Sequence, residues 1–504
     1  MAPGMLWATM QPDTDITDSA FNDWYNNEHG PLRLQLPFIT SGRRYRATDG
    51  ETPEWMAYYE ITNIDQLLTN PYRQLQERPS KREADMLRRI KLDQYLYAEE
   101  ISVGEINRTD RVPYLCMTLR MWLPENRPDM EADIHAWYVD EHIPLLAKIP
   151  GWVRSRRFRV IDRIDGDKKV HWFATHEYTK ENGVGGPEYN YARATVWRQK
   201  IMSEVRAIRR NYQLYYDIGP LARDLACLDY APRACIEGEF RLSDGETTSY
   251  RLEGSTDPCA PVIAFSNSFL TTWHIWDAFL EEFTAVHPQF RFLRYNQRSY
   301  TSATGSAPIT IDVLTDDLKE LLDGLLIASA HTVIGVSLGG ATALNFALKY
   351  TPRLTRFVAC DFAASSGPKA ADAWGARVAL AQQGMEKLAL ANVKRWFLPE
   401  NVRTESGRQV LRMVQENNFD GFKKGTNALI HLDLEPKLPS CQVSGLFVSG
   451  ACDSMLPVEM ARYAKLMPTG LGSFAAVPDA GHLPMVDNPL GFMEKVATFV
   501  GFAK

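Results

Sequence analysis

The chain has 504 residues, a formal net charge of −6 and 45% hydrophobic residues. That length predicts more than one domain, at roughly 150 residues each, with apolar content sufficient for large cores. The acidic balance argues against a nucleic-acid or anionic-membrane binder. No apolar run reaches the roughly 18 residues that a membrane span needs, and the seven cysteines lie scattered, without the paired spacing of a zinc site. The opening residues, Met1-Ala2-Pro3-Gly4-Met5-Leu6-Trp7, have neither the basic segment nor the long apolar one of a secretory leader. The expectation is a soluble, cytoplasmic protein with no metal and no cofactor. It acts on a small molecule, and a homo-oligomer is left open.

The first half carries a repeat. Trp24-Tyr25-Asn26-Asn27-Glu28-His29-Gly30-Pro31-Leu32 recurs as Trp137-Tyr138-Val139-Asp140-Glu141-His142-Ile143-Pro144-Leu145, at an offset of 113. At the same offset Pro37 meets Pro150, and Arg43-Arg44-Tyr45-Arg46 meets Arg156-Arg157-Phe158-Arg159. Aromatic and β-branched runs predict strands at 5–10, 55–60 and 94–97 in one copy and at 114–122, 172–177 and 212–216 in the other. Each copy reads β-α-β-β-α-β, a split βαβ unit. One such sheet leaves a face bare, whereas two can close against each other and bury it. Residues 1–110 and 111–225 are therefore expected to form one intramolecular barrel.

The W-Y-x-x-E-H-x-P-L signature, present in both copies, resembles that of the EthD-like dimeric α+β barrel family. The resemblance implies a ferredoxin-like barrel; the wider superfamily includes cofactor-free monooxygenases, polyketide cyclases, haem enzymes and plain dimerisation modules. Tyr25 with His29, and Tyr138 with His142, stand four apart on one helical face. They form a candidate second site in which histidine serves as acid or base. The plainer reading packs these rings at a helix end. His171 and His176 fall on opposite faces of one strand, which argues against a shared metal.

Gly219-Pro220 and Asp229-Tyr230-Ala231-Pro232 interrupt both periodicities and place a domain boundary near 218–236. Beyond it, 239–242 and 248–252 read as a hairpin turning at Asp244-Gly245 in a two-residue loop. Predicted strands at 261–265, 290–295, 331–334, 356–360, 443–448 and 474–477 alternate with helical patterns, which gives a parallel sheet covered on both faces. Helical patterns alone fill 365–438 and predict a cap. Its Trp374, Trp396, Phe397, Met413 and Phe419 predict a largely hydrophobic pocket.

Gly335-Val336-Ser337-Leu338-Gly339 lies between a predicted strand and a predicted helix, the context of a nucleophile elbow. The pattern alone is weak. Asp453 and His482 strengthen it, because each follows a predicted strand and the chain order Ser, Asp, His is that of an α/β-hydrolase triad. Asp453 could instead cap the helix that follows, and Asp361 is the reserve acid. His431 and Cys452 read as packing residues.

Residues 237–504 resemble 3-oxoadipate enol-lactonases and their close α/β-hydrolase relatives. Ser266-Asn267-Ser268 stands at the oxyanion loop, Trp396-Phe397-Leu398-Pro399 and Asn427-Ala428-Leu429-Ile430-His431-Leu432-Asp433-Leu434 in the cap, Gly450-Ala451-Cys452-Asp453 at the acid turn and Ala480-Gly481-His482-Leu483 at the histidine turn. Phe269 departs from the usual Leu-Gly after the second serine, and Tyr295-Asn296-Gln297-Arg298 from a Tyr-Asp-x-Arg. Ser337 is then the nucleophile, His482 the base and Asp453 the acid, with the backbone N–H groups of Leu338 and Phe269 as oxyanion donors. The expected substrate is an ester or lactone of a hydrophobic cyclic or aromatic metabolite, polyketide-derived by analogy with the first half. One alternative is a bifunctional polyketide cyclase and hydrolase with a catalytic barrel. Another places acyl transfer or C–C hydrolysis on the same triad.

Overall fold

The computed structural model describes residues 2–106, 112–123, 127–163, 171–228, 234–298 and 308–501. They form two compact units, 1–220 and 221–504. The expected junction between the copies at 110 and 111, and Asp229-Tyr230-Ala231-Pro232, lie outside the described residues.

In the first unit, one copy supplies β1 (Gly4–Pro12), β2 (Ile39–Ala47), β3 (Trp55–Ile61) and β4 (Ile90–Gly104). The other supplies β5 (Leu115–Trp122), β6 (Trp152–Arg163), β7 (Trp172–Tyr178) and β8 (Arg206–Ile218). The strands close in the order β1-β3-β2-β8-β5-β7-β6-β4, antiparallel throughout. Two seams join the copies: β2 on β8, and β4 on β6. Alternation along the strands sorts the core. Met5, Trp7, Met56, Tyr58 and Phe173 share one cluster fed by both sheets, while Leu6, Met10, Trp55, Ala57 and Tyr59 pack with the first copy's helices. A charged group sits among these apolar side chains. Glu177 is fully buried, and its carboxylate accepts from Arg154 Nε at 2.7 Å and from Tyr58 OH at 2.5 Å.

Both signature helices contain a π-helical turn, Tyr25–His29 and Tyr138–His142, closed by Gly30 N–H to Tyr25 O and Ile143 N–H to Tyr138 O. Pro31 and Pro144 explain them. A proline ring clashes with the carbonyl four residues back, here that of Asn27 or Asp140, and widening the turn relieves the clash.

The second unit is an eight-stranded sheet in the order β16-β15-β14-β13-β11-β12-β10-β9, comprising β9 (Cys235–Arg241), β10 (Thr247–Gly254), β11 (Val262–Ser266), β12 (Arg291–Tyr295), β13 (Ala330–Val336), β14 (Leu354–Cys360), β15 (Ser444–Gly450) and β16 (Gly472–Val477). From β12 to β16 all neighbours are parallel. Apolar clusters line both faces, as a sheet covered by helices requires. The hairpin turn differs from the two-residue expectation. Leu242 N–H bonds Glu246 O and Gly245 N–H bonds Leu242 O, so the loop is Ser243-Asp244-Gly245 with Gly245 at φ +92°. That is the three-residue turn in which a left-handed glycine ends a type I turn. Between β14 and β15 lie the helices Ala370–Gln382, Met385–Trp396, Glu405–Gln415 and Phe419–Ile430, the stretch expected to be a cap.

Removing the Glu177 carboxylate takes from Arg154 one of the two carboxylates it meets at 2.7 Å and leaves only Glu60. With Glu60 still paired to Arg154, Glu177→Ala is expected to destabilise the barrel by about 1–3 kcal/mol, read as an earlier transition of the first unit in urea. An unchanged midpoint contradicts this account.

Candidate active site

Ser337 stands at the end of β13 and immediately precedes the helix Leu338–Lys349. Its backbone is at φ 56° and ψ −120°, which lifts the side chain off the sheet. Two glycines make that turn possible for reasons of space. A Cβ on Gly335 would meet Gly339 O at 1.9 Å, and one on Gly339 would meet Ser266 O at 2.1 Å. The Ser337 N–H is anchored to Cys360 O on β14 at 2.8 Å.

Asp453 follows β15 and His482 follows β16. The Asp453 Oδ2 lies 2.7 Å from His482 Nδ1, and both residues are buried. Asp453 does not cap the next helix, Leu456–Leu466, which begins without a side-chain cap. The imidazole is fixed from two more sides: its backbone N–H bonds Trp396 O at 2.8 Å, and its ring lies over the Trp396 indole. Asp361, the reserve acid, stands directly behind Asp453. It is fully buried at φ +40°, accepts Ser449 Oγ–H at 2.6 Å and Gly450 N–H at 3.1 Å, and hydrogen-bonds the Asp453 carboxylate. Burial, then the neighbouring Asp453 charge, pushes the Asp361 carboxyl far above the ordinary range. Burial also pushes Asp453 upward, but the hydrogen bond and charge of His482 outweigh it, and Asp453 ends below its ordinary value. Asp361 therefore carries a proton and Asp453 a charge.

These groups share one cavity of about 400 Å³, lined by Ser337, Asp453, His482, Phe269, Trp374 and Trp396 among others. The loop after β11 forms one wall and is pinned by Asn267. Its side chain accepts from Trp276 Nε1 at 2.8 Å and donates to Tyr295 O at 2.8 Å. Phe269 packs on Phe422 and Trp374 of the cap, so the bulky residue closes the loop against the cap. The pocket is less apolar than composition led us to expect. Arg377 and Arg395, on two cap helices, both line it, and neither forms an ion pair among the described residues. Loss of solvent and the Arg377 charge lower Arg395's hold on its proton. No sequence signal separates these arginines from the ordinary solvated face of a helix.

Residues 265–495 match the profile described as the alpha/beta hydrolase family. The C-terminal half belongs to the α/β hydrolases. Among curated proteins, the chain is 26% identical to 3-oxoadipate enol-lactonase 1 of Acinetobacter baylyi, over 52% of this chain and 94% of that protein. It is 28% identical to 3-oxoadipate enol-lactonase 2 of the same organism, over 49% and 91%. Among solved structures, a hydrolase from Pseudomonas aeruginosa PA01 is 32% identical over 53% of this chain and 98% of that one, with a TM-score of 0.47.

In the barrel, the two Tyr/His pairs meet ring to ring at 4.6 Å and 5.3 Å. The structure does not unite the four residues in one site. Tyr25 and His29 belong to a closed network: Tyr25 OH bonds Tyr59 OH at 3.0 Å, and His29 Nδ1 bonds Glu83 Oε1 at 2.8 Å. Burial and Arg33 hold His29 down to about 4 in spite of Glu83, so it is a neutral donor. Tyr138 and His142 belong with His176, whose ring lies 5.4 Å from that of His142. His171 turns away to bond Tyr97 OH at 2.9 Å.

Asn keeps both bonding directions of a protonated Asp361. Asp361→Asn is expected to leave kcat/KM within a few-fold and Asp361→Ala to lower it by about tenfold or more, since an unpaired buried group costs about 1–3 kcal/mol. The reverse order contradicts the protonation assignment. A second expectation concerns acid. Burial and Arg209 lower His176 from 6.5 to about 3. The unfolded imidazole takes up a proton that the folded one refuses, so this stabilisation is complete above pH 6.5 and lost as pH falls towards 3. The barrel's urea midpoint should fall across that window, and less so in His176→Gln.

Proposed function

We propose that the chain hydrolyses an ester or lactone through an acyl-enzyme on Ser337. The observation that carries this reading is the 2.7 Å contact between Asp453 and His482, facing the same cavity as an elbow serine. His482 takes the Ser337 proton as Oγ attacks the acyl carbon, and Asp453 stabilises the imidazolium that results. The N–H of Leu338, at a helix N-terminus, and the N–H of Phe269 are the donors to the tetrahedral oxyanion. The intermediate collapses as His482 returns the proton to the leaving oxygen. Water, deprotonated by the same imidazole, then attacks the acyl-enzyme, and the imidazolium returns that proton to Ser337 Oγ as the acyl–oxygen bond breaks and the acid is freed. In a lactone the leaving oxygen stays tethered to the acyl group, so one ring-opened product results.

Trp374 and Trp396 of the cap, with Phe269 of the loop after β11, support a cyclic or aromatic acyl group, and Arg377 and Arg395 add a preference for an anionic substituent. The similarity to 3-oxoadipate enol-lactonases points the same way. We read the barrel as an EthD-like tandem, supported by the shared signature and by the π turn it encodes in both copies.

Ser337→Ala should lower kcat by roughly 10⁴–10⁶-fold with an unchanged circular dichroism spectrum, and a fluorophosphonate should label Ser337 in the unaltered protein. Full turnover in Ser337→Ala would end the proposal. Arg395→Ala and Arg377→Ala should each raise KM about tenfold for a carboxylate-bearing lactone, given about 1.5–3 kcal/mol for a charged hydrogen bond. Neutral aryl esters should be affected little, and equal losses on both substrates refute the anionic preference.

A further inference from the structure

The two copies can be aligned on the caps of their last helices. In the first, Lys81–Arg88 opens at Ser80, whose Oγ accepts Glu83 N–H at 3.0 Å. In the second, Val196–Glu204 opens at Thr195, whose Oγ1 accepts Arg198 N–H at 3.3 Å. Glu83 and Arg198 are therefore the same position with opposite charge. In the first copy Glu83 turns inward. It lies 2.8 Å from His29 Nδ1, accepts from Trp24 Nε1 at 2.7 Å, and lies 4.0 Å from Arg33. At the offset of 113, His142 stands for His29 and Leu146 for Arg33. The second copy has thus lost its internal carboxylate and moved its cation to the carboxylate's place.

The consequences are visible in the side chains. His142 Nδ1, the atom whose counterpart meets Glu83, is buried with no hydrogen-bond partner among the described residues, as are His176 Nε2 and Tyr138 OH. Trp137, the counterpart of Trp24, gives its Nε1–H to Glu141 instead, at 3.2 Å. His176 is also oriented. Ser155 Oγ accepts Trp152 Nε1–H at 2.9 Å and lies 3.0 Å from His176 Nδ1. In the tautomer where Ser155 gives its hydroxyl proton to Nδ1, Nε2 is the N–H donor, and the carboxylate proposed below selects that tautomer. Burial keeps both imidazoles neutral. His142, His176 and Leu146 line a cavity of about 50 Å³ together with Arg193, Arg198 and Arg209. None of the three arginines forms an ion pair among the described residues.

We infer that this cavity binds a small carboxylate, whose oxygens occupy the place that Glu83 fills in the first copy. One oxygen accepts His142 Nδ1–H, the Arg198 guanidinium binds the charge, and His176 Nε2–H is the third donor. The modest volume admits only a few heavy atoms beside Leu146 and Trp137. The remainder of a larger acid reaches the rim at Arg193, which is exposed. The first copy cannot bind in this way because its own carboxylate holds the position.

The test is calorimetry on the full chain with sodium benzoate and sodium acetate, and with benzamide and acetamide as neutral isosteres. To remove any binding at the hydrolase pocket, all titrations are made in an Arg377→Ala, Arg395→Ala background. At least one carboxylate should saturate the chain at or below about 1 mM, and neither amide should. Arg198→Glu restores the first copy's arrangement and should abolish carboxylate binding. His142→Phe, which keeps the packing but removes the donor, should weaken it at least tenfold. Circular dichroism and an unchanged urea transition of the first unit, each read against the double-alanine parent, certify that each variant is folded. No saturable binding of either carboxylate overturns the inference, as does an Arg198→Glu chain that binds like its parent.

Discussion

Ser337 is held at φ 56° and ψ −120°, a region that costs a residue with a side chain about 1–3 kcal/mol. The turn does not hold itself there. Its N–H is tied to Cys360 O at the end of β14, and the glycine two residues on lies against Ser266 O at the end of β11. Three neighbouring strand ends therefore meet at one serine. The strain is sustained only when β11, β13 and β14 stand side by side in parallel, which the sheet order provides. The acid and the base depend on the same register, since they leave the ends of β15 and β16, the next two strands in the sheet. Misplacing one strand would separate the serine from its partners, so sheet topology is here a requirement of the chemistry as well as of the core.

The arrangement of carboxyls shows how burial decides which group does what. Two carboxylates in contact cannot both ionise away from water. Asp361 is the more deeply buried, and its other bonds come from a hydroxyl and a backbone N–H; Asp453 has the imidazole. The proton accordingly stays on Asp361. Asp453 then presents a full charge to His482 while receiving a hydrogen bond from behind, which fixes its orientation. The reserve acid turns out to be a brace for the acid, and the two readings of Asp361 differ only in where the proton resides.

Much of the hydrolase half was legible because its signals are local. Strand, tight turn and helix around Ser337 follow from β-branched residues and glycines at fixed spacing, and the residues after β15 and β16 are read the same way. The barrel was legible because a repeat states its own symmetry. What stayed hidden required three dimensions. Arg377 and Arg395 sit on cap helices where a charged residue reads as solvent-facing, and only the fold brings them to the pocket that holds Ser337. The Tyr/His spacing was readable, but the π turn arises from a steric clash at Pro31 and Pro144 that a regular helical reading smooths over. The hairpin loop was shorter on paper than in space because Asp-Gly serves both two-residue and three-residue turns.

The divergence of the two barrel copies has a physical logic that a dimer of single copies lacks. In a symmetric dimer both sites carry the same side chains, so a residue that closes one closes the other. Joining the copies in one chain releases that constraint. The first copy keeps Glu83, which satisfies His29 and Trp24 internally. The second exchanges the carboxylate for Arg198 and leaves buried polar atoms of His142, His176 and Tyr138 without partners among the described residues, which costs stability at each one. The two sheets share seams at β2–β8 and β4–β6, so a sturdy copy supports a strained one through continuous backbone pairing. An imbalance of this kind persists in a fold when something other than stability is gained from it, and three arginines that form no ion pair among the described residues, set around buried imidazoles, fit a gain in recognition of negative charge.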